Sequence, residues 1–178
     1  MRTTTLLAIC SASLLIACDS ASEPQLTASG PSPERGSVVK SVSGIASNTR
    51  GTSSRTFSFV AWKYEDGSVQ GQFQWHFADS PNMGAGTVTC LTVEGDQAWI
   101  GGIITDHARY PEYIGLEGGF RVVDNGVGES AEADLISLVV PLPYPDIPDV
   151  PDAQTYCNGK TEFPALEEVE SGDIQIGG

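Results

Sequence analysis

The feature that most constrains this chain is a strict alternation beginning at Val69. Val69, Gly71, Phe73, Trp75 and Phe77 fall on one side of an extended backbone, and Gln70, Gln72, Gln74 and His76 fall on the other. Successive strand residues point to opposite faces, so this segment reads as a half-buried strand. Thr56 to Lys63 precedes it, carrying Phe57 and Phe59, with Glu65-Asp66-Gly67 between the two. Loop length decides the register. A two-residue turn at Asp66-Gly67 would set Phe57 and Phe59 on the glutamine face. A three-residue loop with Gly67 left-handed moves the pairing by one and brings them beside Phe73 and Trp75, with Ala61 next to Gly71. Burial of the aromatic rings selects the second register, which leaves Trp62 on the outer face beside Gln70 and Gln72.

The rest of the chain reads as short strands separated by turns. Thr87 to Val93 and Ala98 to Thr105 flank Glu94-Gly95-Asp96-Gln97 and form a second hairpin. Gly101-Gly102 inside the later strand predicts a bulge or a close backbone approach. Phe120 to Val123 is a strand ending at Asp124-Asn125-Gly126. Leu135 to Val140 is an apolar run suited to a central strand, and Asp173 to Ile176 is the closing strand. No helical period stands out. The expected fold is all-β, a compact antiparallel sandwich (Ig-like, for instance) or small barrel. Its core should contain Phe57, Phe59, Phe73, Trp75, Val88, Ile100, Val122, Ile136 and Leu138. Between Pro145 and Ala153, Pro-Asp-x recurs three times; polyproline II geometry would place the three aspartates along one edge of a stiff crossing.

The N-terminus indicates export. Arg2 precedes an apolar run from Leu6 to Ile16, too short to span a bilayer core and suited to a signal peptide. The run ends in Leu15-Ile16-Ala17-Cys18, followed by Asp19. These residues resemble the lipobox of bacterial lipoproteins. The resemblance implies cleavage after residue 17, palmitate-type lipidation of Cys18 and membrane attachment through the lipid. The segment that follows is rich in Ser, Pro, Ala and Glu without apolar period, so 18–36 reads as a disordered tether and 37–178 as the β domain. The expected location is the cell envelope, periplasmic or surface-exposed.

Export settles the cysteine arithmetic. Cys10 leaves with the signal peptide and Cys18 takes lipid, so Cys90 and Cys157 remain in an oxidising compartment, where they are expected to pair. No CxxC or Cys/His spacing suits zinc. Nine basic residues against 23 acidic ones give a net charge of −14. That balance excludes nucleic-acid binding through a basic patch.

Over nearly the whole domain a second resemblance holds. It rests on Gly86-x-Val88-x-Cys90-Leu91-x-Val93-x-Gly95, Ala98, Gly101-Gly102, Phe120-x-Val122-x-Asp124-x-Gly126, Asp134 with Ser137, Cys157, and Gly172-x-Ile174. These residues resemble a family of small, exported, mostly uncharacterised bacterial β domains. The resemblance implies a β fold and supports the Cys90–Cys157 pair; it implies no activity.

Motifs for chemistry are sparse. There is no G-x-S-x-G elbow and no H-E-x-x-H. His107 follows Asp106 and lies near Arg109, Tyr110 and Tyr113, read as a solvated loop. A hydrolase using His107 or an acidic pair is the weakest alternative. Gly126 to Ala131 matches a loose dinucleotide pattern but lacks a βαβ setting, and its acidic neighbours would repel pyrophosphate. Asp124, Glu129 and Asp134 supply hard oxygen ligands that suit calcium, against a plain loop held by Asx turns; no cofactor is otherwise expected. Trp62 with Gln70, Gln72, Gln74 and His76 forms a strip suited to a glycan, against a merely wet sheet face. The function expected is that of a non-enzymatic interaction or structural module, its partner an envelope protein or glycan, with a carbohydrate-binding module as the first alternative.

Overall fold

The computed structural model describes residues 36–78, 81–127 and 131–178. Ten strands form one antiparallel sheet: β1 (Val38–Arg50), β2 (Ser53–Tyr64), β3 (Val69–Phe77), β4 (Met83–Glu94), β5 (Gln97–His107), β6 (Glu117–Val123), β7 (Leu135–Ile136), β8 (Val140–Leu142), β9 (Glu167–Glu168) and β10 (Ser171–Gly177). A single short helix, α1 (Ala153–Gly159), lies between β8 and β9 among the described residues. The strand order is β10-β1-β2-β3-β4-β5-β6-β7-β9, with β8 also pairing β6. The sheet curls into a half-barrel. Of the two architectures open to the sequence, the chain therefore takes the barrel-like one; all strands among the described residues belong to one sheet.

The β2–β3 hairpin has the three-residue loop. Phe57 pairs with Trp75, Phe59 with Phe73 and Ala61 with Gly71. The Gly67 N–H donates to the Tyr64 carbonyl at 2.9 Å, and Gly67 is left-handed at φ 81°. The β4–β5 turn is tighter than expected. Glu94 pairs with Gln97, so the loop is Gly95-Asp96 alone. Leu135 to Val140 does not make one strand: it breaks into β7 and β8, and Leu138 is only half-buried. Ser137 occupies the break, taking the Arg121 N–H on its hydroxyl while its own N–H donates to the Arg121 carbonyl. The Pro-Asp repeat is not polyproline II. Ile147 N–H donates to Tyr144 O and Val150 N–H to Ile147 O, making successive turns. Its third aspartate, Asp152, caps α1 by accepting from Thr155 N–H at 2.7 Å.

Inside the curl, Phe120 of β6 enters edge-on among Phe57, Phe59 and Phe73, at centroid distances of 4.9, 5.5 and 5.4 Å. Edge-on contacts of this kind contribute about 0.5–1.5 kcal/mol each beyond burial. The facing walls make room for rings by lacking side chains. A Cβ on Gly86 would lie 2.2 Å from the Phe73 ring, and one on Gly84 would lie 2.4 Å from that of Trp75.

Strand β5 is buried on both faces. Ala98, Ile100 and Ile104 face the interior, whereas Trp99 joins Cys90, Leu142, Ala153, Tyr156 and Cys157 in a second cluster outside. A register shift between Val88 and Cys90 lets Val88 and Leu91 point inward while Cys90 points out. Cys90 and Cys157 form a disulfide that ties α1 to β4 across 67 residues. Closing a loop of that size restricts the unfolded chain by about 4 kcal/mol in the entropy model. Gly101 and Gly119, paired across β5 and β6, form the floor on which α1 rests. A Cβ on Gly119 would meet the Tyr156 ring at 2.8 Å. Gly119→Ala is therefore expected to cost about 1–3 kcal/mol by overpacking, read as a lowered urea midpoint at unchanged slope.

Candidate binding face and the acidic seam

Among the described residues, α1 covers the outside of β5, β6 and the Cys90 end of β4, and no helix lies over the outward-pointing residues of β1 to β3 and of β4 up to Thr87. Register aligns them in rows: Ser43, Val60, Gln72 and Thr87 in one, Ile45, Ser58, Gln74 and Ala85 in the next. Trp62 lies opposite Gln70 and Ser41 and is half-buried. Gln74 Nε2 donates to Ser58 Oγ at 3.0 Å, and the Tyr64 hydroxyl to Gln70 Oε1 at 3.3 Å, so parts of this face are held in place. His76 stands exposed at its margin, between Thr56 and Met83. All five residues of the expected strip are thus on one surface. Around them, the segments 41–47, 56–62, 70–76 and 83–87 contain no Asp, Glu, Lys or Arg.

Acidic residues gather elsewhere and act structurally. Asp134 Oδ1 accepts from the Asn125 N–H and Oδ2 from the Ile174 N–H, both at 2.8 Å. Asp124 Oδ1 accepts from the Gly126 N–H and Oδ2 from the Ile176 N–H, both at 2.9 Å. The two carboxylates flank the β6–β7 connection; of the four amides they hold, those of Asn125 and Gly126 belong to that connection and those of Ile174 and Ile176 lie on the edge of β10 away from β1. They span the seam where the ends of the curled sheet approach. A second clasp lies near the other end of β1. Glu167 of β9 accepts from Arg50 at 2.9 Å and lies 3.4 Å from the buried Arg55 guanidinium, whose Nε donates to Asn48 Oδ1. Burial pushes the Arg55 pKa down, Glu167 opposes that, and Arg50 adds to it.

The calcium reading changes accordingly. Every oxygen of Asp124 and Asp134 faces a backbone N–H, and Glu129 lies outside the described residues. An open depression beside the seam is lined by Glu132, Asp134, Glu170 and Asp173, yet no group of three or more His, Cys, Asp or Glu among the described residues is placed to hold a metal. Cys18 and residues 19–35, expected to form a tether, also lie outside the described residues. Among the described residues no helix is long and apolar enough to cross a membrane.

His107 is not the solvated loop residue expected. It ends β5, is 7 % exposed, and stands edge-on to Trp75, Tyr110 and Tyr113. Its Nδ1 accepts the Tyr110 N–H at 3.2 Å. Burial lowers its pKa, with Glu112 and Asp106 opposing. Enclosed by rings and with Nδ1 engaged, His107 lacks the access a general base needs.

No family model, curated protein or solved structure matches the chain. Of the residues singled out in the sequence for their pattern, several converge on the seam (Asp124, Gly126, Asp134, Ile174) and others on the α1 floor (Cys90, Gly101, Cys157). Sequence reasoning missed the Arg55 clasp, since a lone arginine in a strand gives no sign of burial.

Asp134→Ala orphans two amides and is expected to cost about 3 kcal/mol or more; Asp134→Asn fares little better, because its NH2 group would face a donor. Calcium and EDTA should leave the melting temperature unchanged, and a rise with calcium would return these carboxylates to a metal. His107 is favoured neutral by the fold, so its contribution is complete above the unfolded pKa of about 6.5 and declines as pH falls through the lower folded value. Melts between pH 7.5 and 5 should show a loss that His107→Asn, keeping an acceptor near the Tyr110 N–H, makes smaller.

Proposed function

We propose that this protein is a lipid-anchored, non-enzymatic module of the bacterial cell envelope that presents the outer face of β1–β4 to a partner. The observation that carries this reading is an outer face whose segments 41–47, 56–62, 70–76 and 83–87 carry no Asp, Glu, Lys or Arg, on a chain of net charge −14. Solvated surfaces ordinarily carry mixed charge, and fixed uncharged side chains lower the cost of desolvating a surface on contact. Attachment through Cys18 is supported by Leu15-Ile16-Ala17-Cys18, and the Cys90–Cys157 bridge suits an oxidising compartment. A Ser/Pro-rich tether would hold the face away from the bilayer.

Two measurements test the two halves. Labelled palmitate should enter the wild-type chain but not Cys18→Ser, which should move from the membrane to the soluble fraction. A photo-crosslinker at Gln72 should give envelope adducts, whereas one at exposed Glu162 should not; equal yields at both positions would remove the binding face.

A further inference from the structure

Resting on that reading, we infer that the partner is a neutral polysaccharide, bound across the strands with Trp62 as the stacking platform. The chemistry of the face narrows the ligand. Gln70, Gln72 and Gln74 offer both donors and acceptors, and Ser43, Ser58 and Thr87 add hydroxyls in the same rows. A polyol such as a sugar presents both kinds of group and pairs with both. Trp62 offers a half-buried indole beside the amides, an apolar surface for the C–H face of a ring. The other two tryptophans cannot serve, since Trp75 and Trp99 are 8 % and 5 % exposed.

Charge excludes the competitors. An anionic glycan or phosphorylated ligand would find no Lys or Arg within segments 41–47, 56–62, 70–76 and 83–87 and would be repelled by the domain as a whole. A cationic ligand would find carboxylates only at the two ends of one row, Asp173 beside Ile45 and Asp106 beside Ala85, and none among the amides and hydroxyls between them. A second copy brings another −14 of charge, so self-association through this face meets long-range repulsion. A neutral, hydroxyl-rich chain meets none of these penalties. Neighbouring strands lie about 4.8 Å apart, so a row such as Ser43–Val60–Gln72–Thr87 offers regularly spaced contacts to an extended chain laid across it.

The full chain, in a sugar-free detergent, is run by affinity electrophoresis through gels containing neutral polysaccharides (β-glucan, α-glucan, mannan, xylan) or the anionic alginate. Retardation by at least one neutral polymer, insensitive to salt and accompanied by a tryptophan fluorescence change, is the expected result. Trp62→Ala should abolish the retardation and the fluorescence change, and Gln72→Ala with Gln74→Ala should weaken binding at least tenfold, both at wild-type melting temperature. If Trp62→Ala lowers the melting temperature, Trp62→Phe, which keeps a smaller ring, should bind more weakly than wild type and more tightly than alanine. Retardation by alginate alone, by nothing, or equally by Trp62→Ala overturns the glycan. A protein adduct from Gln72 without any glycan retention would overturn the glycan while leaving the binding face standing; the loss of both would remove the two readings together.

Discussion

A curled sheet must dispose of its two edges. Each edge carries backbone N–H and C=O groups that would otherwise template pairing with another chain. In this protein β10 lies at one end of the strand order, beside β1, and its far edge is not taken up by another strand in the described ladder. Asp124 and Asp134 take its amides instead, through Ile176 and Ile174. A carboxylate hydrogen bond to an amide is stronger than an amide–carbonyl one. Two of them can therefore clasp a seam that a ladder does not close. Asp134 reaches furthest: its side chain holds two segments, and its carbonyl accepts from the Val169 N–H. The clasp at Glu167, Arg50 and Arg55 secures the region where β9 passes into β10.

With the curl closed, interior and exterior are filled by one rule, a ring on one element over a glycine on the next. Phe73 lies over Gly86 and Trp75 over Gly84 inside, and Tyr156 lies over Gly119 outside. The arrangement buries large rings without widening the sheet, and it makes the glycines structural in a steric sense. It also divides the outer surface. Where Gly101 and Gly119 provide a floor, α1 and its disulfide cover the sheet. Over β1 to β3 and the first half of β4, no helix covers the amide and hydroxyl face among the described residues. The extent of the open face is thus a by-product of where the helix can sit.

How much of this the chain disclosed in advance depended on local signal. The β2–β3 register was legible because four rings and one loop length allow a single buried solution. The same logic failed for β1, where no strand was expected. Its inward residues include Gly44 and Ala46, and a Cβ on Gly44 would lie 2.9 Å from the Phe59 ring. A strand whose inner side is emptied to admit its neighbour's rings shows no apolar alternation. Helix α1 was missed because seven residues make too short a period to read. The strip around Trp62 was legible as a face, since alternation assigns sides. How far the face extends before α1 covers the sheet was not, since strand order and helix placement are long-range facts.

By itself, then, the sequence determined which residues alternate, which hairpin register buries the rings, and that the strands form an all-β domain. Those properties are local: they follow from a two-residue repeat and the reach of a short loop. Only the tertiary structure decided that the sheet curls rather than doubles, that Asp124 and Asp134 serve backbone amides, and that His107 is enclosed by rings. Each of these depends on contacts between segments far apart in the chain, such as Asp134 with Ile174 across 40 residues. A carboxylate's partner is whatever the closed fold brings to it, and neither its neighbours in sequence nor its own chemistry can say whether that is an amide, a metal or water.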